Sequence, residues 1–90
     1  MKTSPAKIAT TVALVVKTRR GQLKLSQEDL ADKASIDRTY ASQIERAIAN
    51  PSLTVLCNLA NALNITLAQL LGESALPKEV GIVALKRTKP

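Results

Sequence analysis

Four side chains, Arg38, Thr39, Ser42 and Gln43, hold the most specific chemistry in this sequence. If their segment is helical, the spacing i, i+1, i+4, i+5 sets all four on one face. Each can address base edges in the major groove of double-stranded DNA. Arginine reaches guanine O6 and N7 together, glutamine matches adenine, and threonine offers a methyl group to thymine. Ser42 suits either a base contact or simple close approach. Arg38 also fits a plainer role, a solvated surface residue beside Asp37 or Asp32. Catalysis has far weaker support. There is no histidine to act as general base and no glycine-rich phosphate loop, and Cys57 sits in a leucine-rich stretch without an activating partner.

The flanking residues are those needed to hold such a face. Ser26 is a natural N-cap, and Glu28 and Asp29 follow where the positive end of a helix favours acids. Leu30 and Ala31 point inward, and Ala31 is small enough to admit a close neighbour. Ser35, Ile36 and Asp37 form a break, with Asp37 capping a new helix from Arg38. On that helix Ala41 and Ile44 turn back with Ile36 toward a core. Two short helices joined by a tight turn are therefore expected, the second presenting the reading face. Gln27 opens the first of them, where backbone N–H groups favour a phosphate oxygen. Tyr40 is the only aromatic residue, and two uses are open to it: a hydroxyl on phosphate, or a ring supporting the core.

The run LSQEDLADKASIDRTYASQIER, followed by NPSLTVLCNLANAL, resembles the phage-repressor type of helix-turn-helix, the Cro/repressor or XRE family. The likeness covers roughly residues 12–71, and within that family the IDRTY wording is similar to controller proteins of restriction–modification systems. The resemblance implies an all-α fold, base contacts from the positions matching Arg38, Thr39 and Gln43, and a DNA-backbone contact from the position matching Gln27. It implies further backbone contacts from the loop flanked by Arg46 and Asn50, which position the protein without carrying sequence information. It also implies that Arg20 pairs with Glu45 to fix the angle of the reading helix, with Arg20 free to touch phosphate as well. Three positions depart from the family's usual wording: Ser35 and Ala47 stand where glycine is common, and Ala41 where isoleucine or valine is. If the first two still need positive φ, each costs roughly 1 kcal/mol.

Ninety residues make one small domain, near the size at which a single core only just outweighs chain entropy. With no Phe, no Trp and one Tyr, Leu, Ile, Val and Ala must do the packing, which favours close helix contacts and burial through a homodimer. The net charge of +6 is unevenly placed. Residues 1–24 hold Lys2, Lys7, Lys17, Arg19, Arg20 and Lys24 and no acid, whereas 25–49 is slightly acidic and 50–72 uncharged. Attraction to polyphosphate fits this balance but is not established by it. A single cysteine and no histidine rule out a disulfide or cysteine–zinc framework within one chain, so no metal or other cofactor is expected, and a reducing cytoplasm is the natural setting.

Elsewhere the pattern predicts a first helix from Pro5 or Ala6 to about Gln22, with Ser4 as cap and Gly21 near its end. Ile8, Val12, Val15 and Val16 form its packed stripe, and the run 8–16 is far short of the ~20 apolar residues of a membrane span. The middle helices run about 27–33 and 38–44. A fourth, capped by Ser52, covers about 53–63 with Leu56, Leu59, Ala60 and Leu63 inward and Cys57 half-buried. A short fifth, capped by Thr66, ends at Leu71 and Gly72. The domain thus spans 5–72. Ile65, Leu67, Leu70 and Leu71 exceed what one thin core buries and are the expected dimer surface, which would set two half-sites about one DNA turn (~34 Å) apart. In the tail, 73–90, Val80–Leu85 leaves a strand, a swapped arm or a partly ordered segment open. A second function class follows from that tail: an antitoxin or adaptor that adds it to the sheet edge of a protein partner.

Overall fold

The computed structural model describes residues 3–77, which form five helices: α1 (Pro5–Gln22), α2 (Gln27–Ala34), α3 (Arg38–Glu45), α4 (Leu53–Ala62) and α5 (Leu67–Leu70). The tail readings for Val80–Leu85 lie outside the described residues.

Each helix starts at a residue whose side chain accepts a backbone N–H: Ser4, Ser26, Asp37, Ser52 and Thr66. Those oxygens satisfy donors that the first helical turn leaves unpaired. At α2 the cap is reciprocal. Ser26 Oγ accepts from the Asp29 amide at 2.9 Å, and Asp29 Oδ2 accepts from the Ser26 amide at 3.0 Å. The amide bond, then the Ser26 hydroxyl, lowers the Asp29 carboxyl below its ordinary value.

The helix ends share one device. Lys24, Ser35, Ala47, Asn64 and Gly72 have positive φ, and the next residue in each case donates its amide to the carbonyl five residues back: Leu25 to Arg20, Ile36 to Ala31, Ile48 to Gln43, Ile65 to Ala60, and Glu73 to Ala68. These bonds close otherwise unpaired carbonyls. Ser35 and Ala47 do occupy the strained region, at φ 58° and 60°. Gly21 terminates nothing; it lies inside α1, and Lys24 makes the turn.

The core gathers Val12 and Val16 of α1, Leu30 and Ala34 of α2, Ile44 of α3, Leu59 and Ala60 of α4, with Leu63, Ile65 and Leu70. Alanines at 9, 13, 31, 34, 41 and 60 are buried and allow the backbones to approach. That is how a core almost free of aromatics closes. Four expectations need correction. Ile8, assigned to the packed stripe, is 38% exposed, because the buried face of α1 runs through Ala9, Val12, Ala13 and Val16 and leaves Ile8 at its margin. Cys57 is exposed, not half-buried. Leu70, expected at a dimer surface, is 0% exposed within one chain, and Ile65 is also buried, so only the half-buried Leu67 and Leu71 remain at the surface. Among the described residues no helix is long and apolar enough to cross a membrane.

Candidate nucleic-acid interface

Helix α3 has two unlike faces. Ala41, Ile44 and Glu45 are buried, whereas Arg38 and Thr39 are exposed and Ser42 and Gln43 half-exposed. The four polar residues therefore come together on the open side, as their spacing required. Asp37 starts the helix, its Oδ2 accepting from the Thr39 amide at 3.1 Å. Arg46 and Asn50, beyond the C-terminal end of α3, are exposed.

The orientation of that face is set from behind. Glu45, with a side chain only 2% exposed, accepts two bonds from the Arg20 guanidinium: Nε to Oε2 at 2.7 Å and Nη2 to Oε1 at 2.9 Å. Arg20 Nη1 also donates to the Leu25 carbonyl at 2.9 Å, and Gln27 Nε2 donates to Glu45 Oε1 at 3.2 Å. One carboxylate thus ties α3 to the end of α1 and to the first residue of α2. The paired geometry makes these charge-assisted bonds strong and directional. They raise the pKa of Arg20 further, against the opposing effect of burial.

Gln27 and Tyr40 differ in what they keep available. The Gln27 amide nitrogen is engaged with Glu45, and the residue is half-buried at the first position of α2. Tyr40 is half-buried and packs against the core cluster, so its ring supports the fold.

Sequence reasoning missed Arg19. Treated only as part of the basic N-terminal excess, it is buried and donates from Nε to the Leu63 carbonyl at 2.9 Å and from Nη1 to Gln22 Oε1 at 3.1 Å. The signal was present, because position 19 continues the inward stripe of Val12 and Val16. Ile48, 62% exposed in the loop after α3, also escaped notice. Among the described residues, no group of three or more Cys, Asp or Glu is gathered as a metal ion would require.

A helix-turn-helix family profile matches residues 16–70. The immunity repressor protein of Bacillus phage phi105 is 44% identical over 69 residues, 77% of this chain, which spans about half (48%) of that relative's length. The control protein C.SmaI of Serratia marcescens is 39% identical over 66 residues, 73% of this chain and 79% of the relative. Among solved structures, the restriction–modification controller protein C.AhdI from Aeromonas hydrophila superposes with a TM-score of 0.67 at 34% identity, covering 69% of this chain and 94% of that one. The antitoxin or adaptor reading is not favoured by these relatives.

Proposed function

Because the chain belongs to the XRE-type helix-turn-helix family of DNA-binding transcriptional regulators, we propose that it reads a two-fold-related operator as a homodimer, with α3 in the major groove. The observation that supports this is the division of α3. Its polar face is open and makes no side-chain hydrogen bond to the rest of the described chain, while its opposite face is buried and fixed by Glu45.

In this reading Arg38 addresses guanine, Gln43 addresses adenine one turn on, and Thr39 and Ser42 fill the floor between them. Gln27 at the start of α2 and Arg46 and Asn50 beyond α3 take the sugar–phosphate backbone. The Tyr40 hydroxyl is a further, weaker candidate. Arg20 acts mainly through Glu45 as a positioning residue, with its remaining N–H groups directed to phosphate. Leu67 and Leu71 contribute to the dimer surface, placing two copies of α3 about one DNA turn (~34 Å) apart. The controller-protein relatives support control of a restriction–modification system; action on the protein's own promoter and a cytoplasmic setting complete this reading.

The test is selection of bound sequences from random duplex DNA, followed by affinities at two salt concentrations. A two-fold motif with half-sites one turn apart is expected. Binding without an enriched motif, or an enriched motif lacking two-fold symmetry, would reject the dimeric operator reader.

A further inference from the structure

An apolar groove beside the first turns of α1 has no part in the reading face. Its volume is about 500 Å³, and Pro5, Ile8 and Val12 of α1 line it together with Pro51 and Leu56, while Asn50 joins the lining from the loop after α3. We propose that residues 80–85, Val-Gly-Ile-Val-Ala-Leu, seat in this groove, and that the seat brings Lys86, Arg87 and Lys89 alongside the DNA backbone at Asn50.

The occupant is indicated by where the described chain leads. Gly72 lies so close to α1 that a Cβ there would meet Thr11 Cγ2 at 2.7 Å. Thr11 and Ile8 are neighbours on the helix surface, three residues apart. Up to Leu76 the described chain is tied back to the body. Gln69 Nε2 holds the Ala75 carbonyl at 3.0 Å, and Leu76 packs on the core cluster. Val80 lies three residues beyond Pro77, at most about 10 Å along the chain. The run 80–85 has no charged side chain, while Lys86, Arg87 and Lys89 follow at once. An apolar stretch entering beside Ile8 and leaving beside Asn50 therefore carries the cations to the edge assigned to phosphate contact. That second step rests on the DNA-reading function above; the seat itself does not.

Two variants of the full chain separate seat from charge. Replacing Lys86, Arg87 and Lys89 together with alanine should flatten the dependence of log affinity on log salt by up to about 2.7, at about 0.9 for each phosphate that is no longer neutralised. Ile82→Asn changes no charge, yet it should flatten the dependence comparably by unseating the arm. If the triple variant acts and Ile82→Asn does not, the cations work without a seat and the proposal is overturned; it is equally overturned if neither acts. Methyl contacts between Ile82 and Ile8 or Leu56, measured without DNA on an equal mixture of differently labelled chains, test the seat directly. Contacts within one label are expected. Their absence, or contacts only between labels, as in a swapped arm, would overturn the assignment. A failure of the operator reading would leave these methyl contacts measurable, so the two failures are distinguishable.

Discussion

On the outer face of α3, Arg38 and Thr39 are exposed, Ser42 and Gln43 half-exposed, and their side chains make no hydrogen bond to the rest of the described chain; on its inner face, Ala41, Ile44 and Glu45 are enclosed. The outer residues contribute little to folding, so their identity is available for discriminating among DNA sequences. The inner residues decide where that face points. Glu45 is the sharpest member, because a buried carboxylate is tolerable only with its partners in place. Specificity and orientation are thus assigned to opposite sides of one two-turn helix, and substitutions on the two sides should have separable effects.

The largest effect should come from the inner side. Arg20→Ala removes both bonds to Glu45 and the one to the Leu25 carbonyl, and leaves the Glu45 carboxylate buried with Gln27 alone. A loss of roughly 3 kcal/mol in unfolding free energy is expected by analogy with broken buried pairs, read by denaturant titration. A change under about 0.5 kcal/mol would show the pair to behave as an exposed one. Next, Arg38→Ala and Gln43→Ala should each lose about 1–3 kcal/mol of discrimination at the base they address, with the denaturation midpoint almost unmoved. Unchanged site preference in Arg38→Ala would remove that residue from the reading face.

Ser35→Gly and Ala47→Gly should each stabilise the fold by up to about 1 kcal/mol, since glycine relieves the left-handed backbone at both turns. Thermal unfolding would register this as a higher midpoint. Arg46→Ala should weaken binding to all sequences alike and reduce the salt slope by about 1; sequence-dependent weakening would instead make it a base contact.

The smallest effect concerns acid. Because the folded-state pKa of Asp29 is lowered, its cap contributes stability that is present above the unfolded value near 3.8 and is lost as pH falls through the lowered one. Asp29→Asn should reduce the pH dependence of stability in that acid window and leave it unaltered near neutrality. An identical acid limb in the variant would exclude the cap as its source.

Much of the architecture was legible because its causes are local. Ser4, Ser26, Asp37, Ser52 and Thr66 each announce a helix start by chemistry that needs only the next three residues. Helix stops were less legible. Of the five positive-φ residues among those described, only Gly72 is glycine, and nothing intrinsic to lysine, serine, alanine or asparagine at 24, 35, 47 and 64 demands that conformation. The bonds that enforce it come from the following residue, and three of the turns place Leu25, Ile36 and Ile65 against or within the core.

What the sequence determined by itself is therefore the set of helices, the composition of the reading face and the small-residue character of the core, since periodicity and capping are properties of neighbouring residues. The resemblance supplied the partnership of Arg20 with Glu45, but only tertiary structure decided its geometry, including the share taken by Gln27 and the Leu25 carbonyl. Tertiary structure likewise drew Leu70 and Arg19 into the interior and left Cys57, Ile8 and Leu53 outside. Burial depends on which surfaces of distant elements meet, and two leucines of equal hydrophobicity on short helices are distinguished only once those elements have packed.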